Sequence, residues 1–261
     1  MTDKISRAFE KGKAFIPFIT AGDPNLDTTE KLVYEMEKSG ADIIELGIPF
    51  SDPTAEGPVI MEANNRALSN KVTTDDVFAL VEKIRKNSEI PLVFMTYANV
   101  VFSYGTEKFA EKMAGCRMNG LILPDVPYEE KHEFSDVMKE HGIDLISMIA
   151  PTSEDRIQMI AREADGFIYL VSSLGVTGTR SEITTDIGAI VKKIREVTDT
   201  PVAVGFGISD EDEAEKMASL SDGAIVGSAI VKLVAKYGKE SIAPVGEFVR
   251  KMKKAVMSCV N

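Results

Sequence analysis

A carboxylate interrupts an apolar run in this chain. Residues 43–60, IIELGIPFSDPTAEGPVI, begin as a hydrophobic strand, yet Glu45 sits inside it, and Asp52 and Glu56 follow. Glu45 is the fifth residue of ADIIELG (41–47), and two-residue alternation puts it on one face with Ile43 and Gly47, while Ile44 and Leu46 share the other. With both faces covered, that carboxyl loses water, and its pKa rises toward the range where one group can give a proton and take it back near neutral pH. Two readings stand for it: a proton-transfer group, or a structural acid satisfied by a neighbouring lysine or tyrosine. Glu56 lies in IPFSDPTAEGP, where Pro49, Pro53 and Pro58 restrict the backbone, as suits a loop that positions side chains. Asp52, ahead of Pro53, fits an Asx-turn, and Glu62 reads as a surface acid.

Anion chemistry has its own candidates. VGFGIS (204–209) and IVGSAI (225–230) each end an apolar run in a glycine-bearing turn, where main-chain N–H groups can approach a phosphate and a helix beginning at Ser228 adds its positive terminus. Tight turns also need glycine, so each signal is weak alone and stronger as a pair on adjoining strands. In SSLGVTGTR, Gly175 and Gly178 serve as lid hinges or as turn formers, and Arg180 as an anion ligand or a solvated charge. Tyr97, Asp125 and Tyr169 fall at or just past the ends of apolar runs and can face the same mouth.

The elements that must hold these groups are legible as eight apolar runs: 14–20, 41–47, 91–96, 120–125, 143–149, 166–171, 201–206 and 223–228. They are nearly continuous in Val, Ile, Leu and Phe, as parallel strands covered on both faces require. Helix-period segments separate them, opened by Asp27 with Glu30, Thr73 with Asp76 and Ser209 with Asp212, and closed at Gly40 and Gly142. Runs two, four, six and eight are entered through glycine (SGADIIEL, NGLILPD, DGFIYLV, DGAIVGS), whereas the third and seventh begin at proline, an alternation suited to a closed ring. The pattern predicts a single α/β domain, residues 1–261, folded as a (β/α)8 TIM barrel, with a doubly wound open sheet as the alternative. Residues 48–72 and 172–185, after the second and sixth strands, exceed the roughly 2 to 6 residues usual for such connections, so they form long loops at the catalytic end.

Composition narrows the function classes. The chain has 261 residues, 44% of them apolar and 27% charged, enough for a large core. A formal net charge of −11 opposes sequence-independent binding to nucleic acid or anionic lipid. No apolar run approaches the roughly 20 residues of a membrane span, and MTDKISRAFEKGK has no signal-like apolar stretch, which reads as cytoplasmic. Cys116 and Cys259 have no CxxC or Cys/His company, so no metal site is expected and both read as reduced thiols. His132 and His141 share one amphipathic segment, YEEKHEFSDVMKEHG, which leaves a nucleophilic triad without a base.

Together these residues resemble the tryptophan synthase alpha-subunit family nearly end to end. The resemblance is carried by PFITAGDP (17–24), ELGIPFSDP with AEGP (45–58), MTYAN (95–99), LPDVP (123–127), IAPTS (149–153), FIYLVSSLGVTG (167–178), VGFGIS and VGSAIVK (226–232). ELGIPFSDP is highly specific to that family; GFGIS and GSA are shared among phosphate-binding barrels. The resemblance implies cleavage of indole-3-glycerol phosphate to indole and glyceraldehyde 3-phosphate, a retro-aldol reaction with no cofactor in this subunit. By position it implies Glu45 as the catalytic acid and base. It implies Phe18, Tyr97, Ile122 and Tyr169 as indole-pocket wall with Asp125 beside them. Gly178, Gly207, Gly227 and Ser228 would form the phosphate cradle, and Thr177 would be the lid residue that bonds the second catalytic acid. It also implies a beta subunit carrying pyridoxal phosphate, joined in an alpha-beta-beta-alpha heterotetramer.

The main departure is Glu56, which stands where the family has an aspartate. One more methylene moves a carboxylate by about 1.5 Å, so either loop 48–60 sits farther back or catalysis is weakened, leaving a regulatory subunit that mainly activates its partner. Ser173 and Met61 also depart, from a frequent arginine and a frequent glutamine. A third reading, a sugar-phosphate isomerase using Glu45, lacks a His or Lys electrophile at a strand end.

Overall fold

The computed structural model describes residues 4–152, 154–172, 186–205 and 207–259. The apolar runs become parallel strands: β1 (Ala14–Thr20), β2 (Ile44–Gly47), β3 (Leu92–Met95), β4 (Gly120–Ile122), β5 (Asp144–Leu145), β6 (Ser147–Ile149), β7 (Ile168–Val171), β8 (Val202–Gly205) and β9 (Gly223–Val226). They pair in the order β5-β4-β3-β2-β1-β9-β8-β7-β6. The two ends of that order are halves of one run. The fifth breaks at Ile146, its first half pairing with β4 and its second with β7, so eight runs give nine strands and the ring closes through the chain itself. An open doubly wound sheet is thereby excluded.

Helices intervene as the pattern requires. In chain order they are α1 (Lys4–Arg7), α2 (Leu26–Lys38), α3 (Pro58–Ser69), α4 (Thr74–Ile84), α5 (Ala98–Tyr104), α6 (Thr106–Gly115), α7 (His132–Glu140), α8 (Glu154–Arg162), α9 (Ile187–Arg195), α10 (Glu211–Leu220), α11 (Ser228–Tyr237) and α12 (Ile242–Ser258). Thr73 and Asp76 form a reciprocal capping box on α4. Two other starts differ from expectation. Asn25, not Asp27, caps α2, and Asp210, not Ser209, caps α10, because each has the extended backbone that lets a side-chain oxygen accept from the amide three residues on. Gly40 (φ 105) and Gly142 (φ 72) follow the ends of α2 and α7 in the left-handed conformation. The long connection 48–72 is not all loop: Pro58 opens α3 within it, its fixed φ suiting a first turn.

Strand alternation sorts the core into two clusters. Ala14, Ile16, Phe18, Ile43, Val93, Ile122, Tyr169, Ala203 and Ile225 point into the ring. Phe15, Ile44, Leu46, Phe94, Leu121, Leu170 and Val204 point out against helix residues such as Leu32, Val81 and Val249. Each such side chain contributes about 1.5 to 3 kcal/mol on burial. Ile5 of α1 joins the inner cluster, and Phe9 meets Phe167 at 6.0 Å, so the N-terminal segment closes the bottom of the ring. α12 packs against α10 and α2, which completes the outer layer. The strands' carboxyl ends, where β2, β3, β4 and β7 deliver their last residues, face the opposite mouth. Among the described residues no helix is long and apolar enough to cross a membrane.

Candidate active site

Glu45 is 1% exposed and lies between Phe18 of β1 and Val93 of β3 in register, on the inner face with Ile43, whose parity it shares. Burial alone pushes its pKa from 4.5 to about 8, because the charged form has lost water. Its Oε1 has no hydrogen-bond partner among the described residues. A structural acid would be satisfied there, since an unpaired buried acceptor costs about 1 to 3 kcal/mol. Tyr169 of β7 is close enough that the Glu45 charge adds to burial in pushing its phenol well above the ordinary value.

Glu56 is half-buried in the loop before α3. Asn64 of α3 donates Nδ2–H to Glu56 Oε2 at 2.7 Å, and the Tyr97 hydroxyl also donates to the carboxylate. Burial pushes Glu56 up to about 7, while those two donors pull the other way. The Tyr97 phenol is raised by its own burial and then by the Glu56 charge. Its oxygen accepts from Ala55 N at 3.3 Å, and its ring lies 5.3 Å from Phe50, so Tyr97, at the start of α5, ties the loop down at Phe50, Ala55 and Glu56. Asp52 is exposed beside the Ser51 hydroxyl, a side-chain partner in place of the Asx-turn expected of it.

The four residues expected to wall an indole pocket are buried at or near the same strand ends. Phe18 and Tyr169 are 5% exposed, Tyr97 2% and Ile122 fully buried. Glycine makes the space for two of these rings. A Cβ at Gly47 would lie 2.7 Å from Phe18 Cζ, and one at Gly205 would overlap the Tyr169 ring and hydroxyl. Gly205 belongs to VGFGIS, so the signal was present, but its job is to admit Tyr169. Asp125 is exposed, and both its oxygens accept from Ala98 N, at 3.1 and 3.2 Å, which caps the first turn of α5.

Gly207 is exposed with φ 79, a left-handed turn open to glycine, and Gly227 sits at the start of α11 with Ser228 its first residue. A Cβ on Gly227 would meet Phe18 at 3.4 Å, which brings this helix terminus to the neighbour of Glu45. Thr177 and Gly178, with Ser173, Gly175 and Arg180, lie outside the described residues. A cavity of about 470 Å³ is lined by Ala55, Pro124, Met148, Ala150 and Val171, with Glu45, Phe18, Tyr97, Ile122, Tyr169 and the described residues of the glycine turns outside its lining.

Asn64 is a residue that motif reading passed over. Its signal was a polar residue in the buried stripe Ile60, Ala63, Asn64, Ala67 of α3. Arg66, also on α3, donates from Nε and a terminal nitrogen to both oxygens of buried Asp23 at 2.8 Å, which locks the helix to the loop after β1. His141 meets Glu107 at 2.7 Å on the outer surface, and the Cys116 thiol is buried, which pushes it up to about 11. Among the described residues no group of three or more His, Cys, Asp or Glu is placed to hold a metal.

The family profile described as "Tryptophan synthase alpha chain" matches residues 6–257. The tryptophan synthase alpha chain of Lacticaseibacillus casei is 46% identical over 256 residues, covering 98% of this chain and 96% of the relative. The crystal structure of tryptophan synthase subunit alpha from Legionella pneumophila superposes with a TM-score of 0.88 at 34% identity, covering 99% of this chain and 100% of that one. A chain of the tryptophan synthase α2β2 complex of Pyrococcus furiosus superposes with a TM-score of 0.82 at 31% identity, covering 92% and 98%. With its ring, its buried glutamate and these matches, the chain belongs to the tryptophan synthase alpha chain family.

Proposed function

We propose that the chain is a carbon–carbon lyase that cleaves indole-3-glycerol phosphate to indole and glyceraldehyde 3-phosphate for tryptophan biosynthesis, with Glu45 and Glu56 as its two working carboxylates. The observation that carries the reading is the buried, incompletely paired Glu45 on the inner face at the mouth of the ring. Its raised pKa, about 8, keeps it protonated at neutral pH, as the first step needs. It gives that proton to the indole carbon bearing the side chain, and positive charge develops on the ring nitrogen. Glu56, held as an acceptor by Asn64 and Tyr97, faces that charge. Glu45, now a carboxylate, removes the proton of the adjacent side-chain hydroxyl. The O–H electrons form the aldehyde C=O, the carbon–carbon bond breaks, and its electrons return to the ring and neutralise the nitrogen. Glu45 finishes protonated, so the cycle balances with no cofactor.

Phe18, Tyr97, Ile122 and Tyr169 serve as the indole wall and Asp125 supports it from the α5 end. Gly207, Gly227 and Ser228, with Thr177 and Gly178, serve the phosphate and the lid. The whole chain acts as one catalytic barrel in the cytoplasm. Its partner is a beta subunit that holds pyridoxal phosphate and consumes the indole, in an alpha-beta-beta-alpha heterotetramer, as the α2β2 assembly of the Pyrococcus furiosus relative supports. Indole release from indole-3-glycerol phosphate, measured with and without a beta subunit, tests the reading. Release that rises on adding the partner is expected, and no release in either condition refutes it. A second reading, a weakened subunit that mainly activates its partner, rests on Glu56 in place of aspartate. It requires stimulation of the partner with no cleavage.

A further inference from the structure

We infer that Asn64 is the positioning residue of the second carboxylate: its amide draws the longer Glu56 side chain back against α3, so that the carboxylate lies where a shorter acid would reach. This rests on the reading of Glu56 given above. The extra methylene of glutamate would advance a carboxylate by about 1.5 Å, and misplacement of about 1 Å can cost on the order of a hundredfold in rate. A donor behind the loop corrects that reach. Asn64 is 3% exposed in a stripe otherwise made of Ile60, Ala63 and Ala67, where an apolar residue would pack at less cost. Its Nδ2 reaches Glu56 Oε2 at 2.7 Å. α3 is a firm base for it, since Ile60 and Ala63 pack into the inner cluster and Arg66 grips buried Asp23 through two hydrogen bonds. Tyr97 donates from the start of α5, so the carboxylate is fixed from two elements. Among the described residues, these two are the side chains that act on the Glu56 charge, and both favour its ionised form.

Asn64→Leu removes the donor at similar volume, and Asn64→Asp keeps the shape but sets a like charge against Glu56. Full-length variants are assayed for indole release over about pH 6 to pH 9, alongside Glu56→Gln and the double variant Glu56→Gln/Asn64→Leu. Asn64→Leu is expected to lower kcat about 10- to 100-fold at pH 7 with little change in KM. It should move the acidic limb of the profile upward, so that alkali restores part of the rate. Asn64→Asp should move that limb in the same direction and keeps the test open if the leucine variant does not fold. In the Glu56→Gln background the Asn64→Leu loss should vanish, because the two groups act as a unit. An unmoved limb, or the same loss in both backgrounds, reduces Asn64 to a packing residue and overturns the inference. If Glu56→Gln keeps the parental rate, the reading of Glu56 fails as well. If only the Asn64 variants keep it, the positioning role alone is refuted.

Discussion

Glu45→Gln separates chemistry from packing because the two side chains have nearly the same shape. Glutamine can neither give nor take the proton. General acid–base catalysis contributes about a hundredfold to ten-thousandfold, and Glu45 performs both transfers, so kcat should fall by at least roughly a thousandfold with KM little changed. The stability signature is independent of turnover. Folding raises the Glu45 pKa from 4.5 to about 8, so the native state holds this proton more tightly than the unfolded chain across that window. The contribution is fully present below 4.5, falls as pH rises, and is gone above about 8. The whole change is roughly 5 kcal/mol, of which about 3 kcal/mol has been lost by pH 7. Glutamine has no such proton. Its amide carries an unsatisfied-group cost of about 1 to 3 kcal/mol that does not vary with pH. Urea unfolding of parent and variant at acidic, neutral and mildly alkaline pH should therefore show the parent losing ground to the variant as pH rises. Single-turnover indole release on the same samples gives the rate. Parallel stability curves, or a variant within tenfold of the parental rate, would refute the assignment of a buried protonated acid at position 45.

Further outcomes follow from the same geometry. Cleavage should peak between the two carboxyl values, rising as Glu56 ionises near 7 and falling as Glu45 deprotonates near 8, and a pH–rate profile flat across that range contradicts the roles assigned. Glu56→Asp should leave kcat within about tenfold of the parent, because Asn64 already holds the longer side chain where a shorter acid reaches; a rise of tenfold or more would instead mark the native residue as a disabling change and support the regulatory reading. Gly205→Ala drives a methyl into the Tyr169 ring and should destabilise by about 1 to 3 kcal/mol and raise KM, read by thermal unfolding and steady-state kinetics. Arg66→Ala leaves the buried Asp23 carboxylate unpaired and should cost about 3 kcal/mol while loosening α3, which urea unfolding and a drop in kcat would both report.

The ring and the depth of Glu45 were legible from local order alone. Eight runs of Val, Ile, Leu and Phe must be covered on both faces, and period-two alternation then puts Glu45 on one face with Ile43, although only the closed ring makes that face the inner one. The capping box at Thr73 and the turns at Gly40 and Gly142 are likewise local events, written within a few residues. The caps at Asn25 and Asp210 were displaced by one or two positions because several acids compete near each helix start and only the realised backbone picks the one that is extended. The rest required the closed fold. Arg66 meets Asp23 43 residues away and Asp125 caps a helix that begins at Ala98, through contacts with no periodic trace in the chain, while Asn64 showed only as a polar residue in a buried stripe, with its partner Glu56 unmarked. The space left at Gly205 is intelligible only once Tyr169 lies across it from the neighbouring strand. Periodicity determines which side chains share a face, since that depends on backbone geometry a few residues long. Which group it meets depends on the curvature of a ring, and that exists only after distant strands have paired.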